Sequence, residues 1–340
     1  MSRDPYDPCP CGSGNKLKFC CADVAADMEK VERLLRNNQP HMAVQSMEKL
    51  REARPQSQWT AVCLASTLIN DDRPADAKAV LKPILKQHPE QPFANVLYAL
   101  ACYNADGYPA CKRAARRAFK QSSQAFPELV GTLASALAEA MLNEGQVLAA
   151  RQYLVLAMRQ AREEQRRILF EDLMELDGDT TIPYPLRGIR VPLEFETTPA
   201  DEKQARLAAR LAAVGCFDEA ADTLEQIAPA RPDDPRLWHN VGLYRAWDGN
   251  SSAAVEAFRK AAGLFDDPAL AVECELLAQC LEQGDPRRGT PLRLRRFDTH
   301  SVSQLLSRLD EAERFARTDR DQQQRDSSAP AARYVFLSRA

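Results

Sequence analysis

Leu237-Trp238-His239-Asn240-Val241-Gly242-Leu243-Tyr244, followed after the turn Asp248-Gly249-Asn250 by Ala253-Ala254-Val255-Glu256-Ala257-Phe258 and then Ala261, decides the fold of this chain. The first segment places Trp238, Val241 and Leu243 at helical spacing, and the second does the same with Ala254, Phe258 and Ala261. Gly242 and Ala254 are small enough for two antiparallel helices to cross closely. Pro268 breaks the next junction, because proline has no N–H to continue a helix. The pattern recurs 34 residues earlier, where Leu207-Ala208 stands for Val241-Gly242, and Ala220, Leu224 and Ile227 stand for Ala254, Phe258 and Ala261. There Gly215 marks the turn and Pro232 the exit. One period later a half repeat runs from Val272 through Gln283 and ends at Gly284-Asp285-Pro286. A helix pair of this kind cannot cover its own apolar stripe, so neighbouring pairs must stack.

The pattern resembles the tetratricopeptide repeat over all 34 positions from Pro235 to Pro268. The resemblance implies an all-α fold, a superhelix of antiparallel helix pairs whose concave groove holds an extended peptide or a partner's terminus. It makes Asn240 and Tyr244 possible partner-binding residues, with His239 facing the groove or solvent. The N-terminal half is looser but also reads as pairs: 25–35 with 42–54, 59–69 with 75–87, 93–103 with 109–125, and 129–142 with 147–164. Residues 161–176 read as a continuation or an extra helix, closed by Asp177-Gly178.

Pro183, Pro185, Pro192 and Pro199 exclude a helix over residues 179–200. Within that stretch Ile189, Val191, Leu193 and Phe195 alternate with Arg190, Pro192, Glu194 and Glu196, a period of two. Pro192 prevents full strand pairing. The expectation is an extended segment whose apolar side packs on the helices, with a floppy linker as the alternative. Beyond the repeats come a basic stretch, Arg287 to Phe297, a helix carrying Leu305, Leu306, Leu309 and Phe315, a polar disordered stretch over 318–330, and the apolar run Tyr334-Val335-Phe336-Leu337. The chain is thereby divided into a metal module at 1–23, helical repeats at 24–178, an extended linker at 179–200, repeats at 201–286 and a tail at 287–340.

The N-terminus reads Cys9-Pro10-Cys11-Gly12-Ser13-Gly14-Asn15-Lys16-Leu17-Lys18-Phe19-Cys20-Cys21. Two thiol pairs separated by eight residues can wrap one tetrahedral zinc ion, with Zn–S bonds of about 2.3 Å, if the chain reverses between them. Gly12 and Gly14 can take positive φ for that reversal. Lys16 and Lys18 partly offset the charge of a four-thiolate complex. Tyr6, Leu17 and Phe19 are too few to form a core, so the ion would have to supply much of the folding energy; small zinc peptides gain roughly 10–16 kcal/mol this way. A redox role for Cys20-Cys21 is disfavoured, because adjacent cysteines pair badly and the C-x-x-C spacing is absent. An iron or iron–sulfur occupant stays open.

Residues 5–23 resemble the SEC-C motif, a short zinc-binding module known from the C-terminal tail of the bacterial preprotein-translocation ATPase. Cys9-Pro10-Cys11-Gly12-Ser13-Gly14, a basic and aromatic segment, and Cys20-Cys21 carry the likeness. Asn15 stands where lysine is frequent, and Cys21 where many members have histidine, an exchange that keeps a metal ligand. The resemblance implies structural Zn2+ on Cys9, Cys11, Cys20 and Cys21. In the translocation ATPase this module contacts a chaperone and the ribosome. It implies a protein-docking element, with Lys16 and Lys18 as contact residues, and no enzyme.

The other six cysteines lie within helical patterns, as small hydrophobes do. Their placement, and the lack of a basic start and apolar core at the N-terminus, fit a reducing, cytoplasmic setting. No run approaches the length of a membrane span. The 45 basic and 48 acidic residues give a net charge of −3, so no global field attracts nucleic acid. One local exception is the helix carrying Lys112, Arg113, Arg116, Arg117 and Lys120, grouped roughly opposite Cys111, Ala115, Ala118 and Phe119. It is either a solvated face or a contact for RNA phosphate or an acidic protein. His41, His88, His239 and His300 lie in no metal-binding or hydrolase motif. The expected function is a non-enzymatic adaptor with a zinc site and a peptide- or protein-binding groove. Association with the ribosome or RNA through the module and the basic helix is the rival, and a module that merely caps the helical stack is a third reading.

Overall fold

A computed structural model describes residues 3–283, and the expectations for the tail lie outside these residues. The chain divides into two compact units, one ending at Ala140 and one beginning at Met141. The first holds α1 (Ala25–Arg36), α2 (Pro40–Ala53), α3 (Gln58–Asn70), α4 (Pro74–Gln87), α5 (Pro92–Asp106), α6 (Tyr108–Ser122) and most of α7 (Pro127–Asn143). The second holds α8 (Val147–Gln160), α9 (Glu163–Gly178), α10 (Pro199–Ala213), α11 (Phe217–Glu225), α12 (Pro235–Trp247), α13 (Ser251–Leu264) and α14 (Pro268–Gln283). These fourteen helices pack in adjacent pairs, and no strand occurs among the described residues.

The helix starts follow from local chemistry. Pro40, Pro74, Pro92, Pro199 and Pro235 occupy first helical positions, where a missing N–H costs nothing. Asp234 caps α12 by accepting from the N–H groups of Arg236 and Leu237 at 3.0 and 3.2 Å. Thr198 and Asp201 form a reciprocal capping box on α10. Ala161 is extended, which ends α8 at Gln160 and makes 163–178 a separate helix, not a continuation.

The first unit keeps the 34-residue period that was evident only in the second half of the sequence. Pro40 and Pro74 start corresponding helices. Ser57 and Gln91 cap corresponding helices, and each accepts from an N–H three residues on. Ala43, Ala77 and Cys111 are fully buried at corresponding positions, as small residues must be where helices cross closely. Asn38 and Asp72, both at φ 55°, make the same left-handed turn.

In the second unit Leu237 and Val241 enter the core, whereas Trp238 is half-buried at its edge. The indole N–H of Trp238 donates to the Pro232 carbonyl at 2.9 Å, and the Lys260 ammonium lies 3.6 Å from its ring centroid. Tyr153, Phe217, Trp247 and Tyr244 form a chain of ring contacts 5.4–5.6 Å apart. Residues 179–198 are packed into this unit and do not hang free. Ile182 and Leu186 are buried, the short 3-10 turn Tyr184–Leu186 touches α14, and Val191, Leu193 and Phe195 are half-buried. Ile189 departs from the expected alternation and is 55% exposed.

The close approach of α12 and α13 is testable. A Cβ added at Gly242 would lie 2.9 Å from Cδ1 of the fully buried Phe258 ring. Alanine is normally better than glycine in a helix by about 1 kcal/mol, but overpacking costs about 1–3 kcal/mol. Gly242→Ala should therefore destabilise the second unit by up to about 2 kcal/mol in denaturant unfolding, and adding Phe258→Leu should recover part of the loss.

Candidate metal centre

The module is a double reversal of the chain. Pro8 and Lys16 form an isolated antiparallel bridge, the Cys9 N–H donates to the Asn15 carbonyl at 2.8 Å, and the Leu17 N–H to Asp7 at 2.9 Å. Gly12 and Gly14 sit at φ +78° and +79°, the conformation the reversal required. A 3-10 turn over Leu17–Phe19 then returns Cys20 and Cys21 to the first pair.

Four sulfur atoms converge as a result. Cys11 and Cys20 are 3.5 Å apart and Cys20 and Cys21 3.7 Å apart, with all four within 4.8 Å of one another. A tetrahedron with metal–sulfur bonds of about 2.3 Å has edges of about 3.8 Å, so the donor set fits one four-coordinate ion. Cys9, Cys11 and Cys21 are buried, Cys20 is half-buried, and Ser13 Oγ lies 3.3 Å from its sulfur. Hydrogen bonds from Cys11 and then Cys21 pull the Cys9 thiol down to about 4, while the same shared bonds and burial push Cys21 strongly up. Protons shared among crowded sulfurs are what a cation would replace. This is the only such ligand cluster among the described residues. Elsewhere burial pushes Cys63 up to about 11, and Cys111 and Cys274 to about 12, as for inert core thiols.

The module is not a free knob. Cys9, Cys11, Leu17 and Cys21 belong to one buried cluster with Val24, Met28, Trp59 and Leu64. The buried Gln91 side chain caps α5 through Ala94 N–H and also donates to the Cys11 carbonyl, so one amide ties the metal loop to a helix end. Gly12 rests against Phe93 and Phe126, whose rings stack 5.1 Å apart. Arg3 reaches Glu32 at 2.7 Å and lies 5.5 Å over the Trp59 ring. Sequence reasoning missed Gln91 and Phe93; the 34-residue match of Gln91-Pro92-Phe93 to Ser57-Gln58-Trp59 was the available signal.

The outward side carries Tyr6 at 59% and Phe19 at 75% exposure. Lys18 Nζ lies 3.7 Å from the Tyr6 ring and 4.4 Å from Phe19, and Lys16 Nζ lies 5.5 Å from Tyr6. Beside the module a cleft of about 520 Å³ is lined by Pro10, Leu35, Trp59, Val62 and Phe93, with Glu32 and Asp71 at its polar part. On α6, Cys111, Ala115, Ala118 and Phe119 are buried as expected, Arg113, Arg117 and Lys120 are exposed, and Lys112 and Arg116 are half-buried.

Asn240 and Tyr244, expected as possible partner-binding residues, lie inside the second unit. Both are buried, at 3% and 4% exposure. Asn240 is engaged by Leu193 of the same chain, and Tyr244 packs beside Trp247. His239 is buried too, edge-on to Phe258, and burial pushes its imidazole below the usual range. The intervening segment covers the helix face that repeat register alone would leave open.

No protein-family model matches the chain, and a comparison with curated proteins finds no match. No helix among the described residues is long and apolar enough to cross a membrane. What the structure defines is an array of α-helix pairs that begins with a four-cysteine cluster suited to a metal ion.

The two glycines of the loop separate conformational strain from packing. Both have positive φ, but a Cβ on Gly12 would collide with Phe126 and lie 3.1 Å from Phe93 Cβ, whereas one on Gly14 meets nothing within 4 Å. Gly12→Ala should therefore cost the first unit about 1–3 kcal/mol more than Gly14→Ala in chemical denaturation.

Proposed function

We propose that this protein is a non-enzymatic adaptor whose first unit is organised by a structural Zn2+ on Cys9, Cys11, Cys20 and Cys21. Four sulfurs at tetrahedral spacing suit zinc and leave no coordination position for substrate. The resemblance of residues 5–23 to the SEC-C motif supports the same ion, and a reducing cytoplasmic compartment would keep the thiols available.

The observation that carries the docking role is the exposure of Tyr6 and Phe19 on a loop fixed from behind. Two large rings held outward with lysines across them form an anchor for a partner's acidic or polar surface. The adjoining cleft, walled by Leu35, Trp59, Val62 and Phe93, adds apolar area on the same unit. Arg113, Arg117 and Lys120 support the rival reading of ribosome or RNA association.

Affinity capture from native cytoplasm separates the two. Tyr6→Ala with Phe19→Ala should abolish retention of the partner while leaving bound zinc and helicity unchanged. Arg113→Glu with Arg117→Glu should leave retention intact. Retention lost only in the arginine variant, with a steep salt dependence, would replace the adaptor by a nucleic-acid-binding protein.

A further inference from the structure

The segment between α9 and α10 is held to the second unit in a way that hydrophobic packing alone does not require. The Leu193 N–H donates to Asn240 Oδ1 at 2.6 Å, and Asn240 Nδ2 donates back to the Leu193 carbonyl at 2.7 Å. One amide side chain thus satisfies both polar groups of a single extended residue. Next to it, Arg236 Nη1 donates to the Glu194 carbonyl at 3.4 Å. Three residues before Leu193, the Arg190 guanidinium pairs with Glu273 of α14 and donates to the Pro185 carbonyl at 2.8 Å.

These contacts read an extended chain by its backbone at two residues and by one cation. They are indifferent to the side chains of Leu193 and Glu194. Such reading suits a peptide that lies across the helices, whatever chain it comes from. The contacts are also few and only part-buried, so each contributes little, and together they hold the segment because it is tethered at both ends. The Gly188 N–H donates to Asp177 at 3.2 Å, and the Thr198–Asp201 capping box fixes the other end.

We infer that residues 190–195 are an in-chain occupant of a peptide-binding face formed by Arg236, Asn240 and Glu273. An extended protein segment with arginine or lysine three residues before the residue whose backbone Asn240 reads takes their place. The resident segment then acts as a latch, and partner binding requires its release. The inference concerns the second unit and stands apart from the metal module. Failure of the peptide experiment leaves the capture experiment unaffected, and the converse also holds.

The probe is a fluorescent peptide with the chain's own sequence from Gly188 to Glu196, and the receptor is the full chain. Arg190→Ser with Leu193→Pro weakens the latch and leaves the face intact. That variant should bind the peptide saturably, at least tenfold more tightly than the unaltered chain does. Binding should be lost when Asn240→Ala or Glu273→Ala is added. A helical latch variant that shows no saturable binding would overturn the inference, as would one whose binding ignores Asn240. Should the variant not fold, hydrogen exchange on the unaltered chain decides the matter. The Leu193 amide should exchange through an opening that leaves the α12 amides protected. Exchange of Leu193 only together with α12 would show a fixed structural strap and no latch.

Discussion

Four thiol groups have to share a space in which neighbouring sulfurs are only 3.5–3.7 Å apart. Left as thiols or thiolates they would crowd or repel one another; around one cation the same spacing becomes a tetrahedral edge. The module's own apolar content cannot hold it together, since among its described residues Leu17 is the only buried side chain apart from the cysteines. Cross-linking by an ion would make the loop a rigid body, and small zinc modules draw roughly 10–16 kcal/mol from such a cross-link. The consequences reach beyond the loop. Once rigid, it covers Val24, Met28 and Trp59, supplies a carbonyl to Gln91 at the start of α5, and seats Gly12 on the Phe93–Phe126 pair. On the zinc reading proposed above, metal binding and the closure of the first helical unit would be one event, and the exposed rings of Tyr6 and Phe19 would inherit their fixed position from it.

The helix pairs were legible because proline, glycine and cap residues punctuate them. Among the described residues, every helix expected from the sequence is present within a few residues of its expected ends, apart from α8 and α9, which a break at Ala161 separates. The four metal-ligand candidates and the positive φ of Gly12 and Gly14 were equally readable, because both follow from local geometry. The 34-residue period of the first unit escaped because its markers change chemistry between copies. Ser57 becomes Gln91 and Trp59 becomes Phe93, so the role is kept and the letter is not. The seating of the module on α3 and α5 is a long-range contact, and no periodicity encodes it.

Asn240 shows the same limit from the other side. It was expected as a possible partner-binding residue, and in the fold its amide holds Leu193, 47 residues away. The alternation over 189–195 was visible, as was the excess of proline; that the two features belong together required the fold. The result is a helix face whose hydrogen-bonding capacity is already in use, and a buried His239 where an accessible one was expected.

The most direct measurement is hydrogen exchange of the full chain, resolved by peptide, before and after removal of metal by a chelator under reducing conditions, with metal analysis of the same samples. The account predicts one zinc ion per chain. Its loss should speed exchange in residues 3–24, α1, α3 and the start of α5, while the amides of α12 and α13 are unchanged. A protein that carries no metal when prepared in its presence, or one whose first unit exchanges at the same rate with and without the ion, would contradict it.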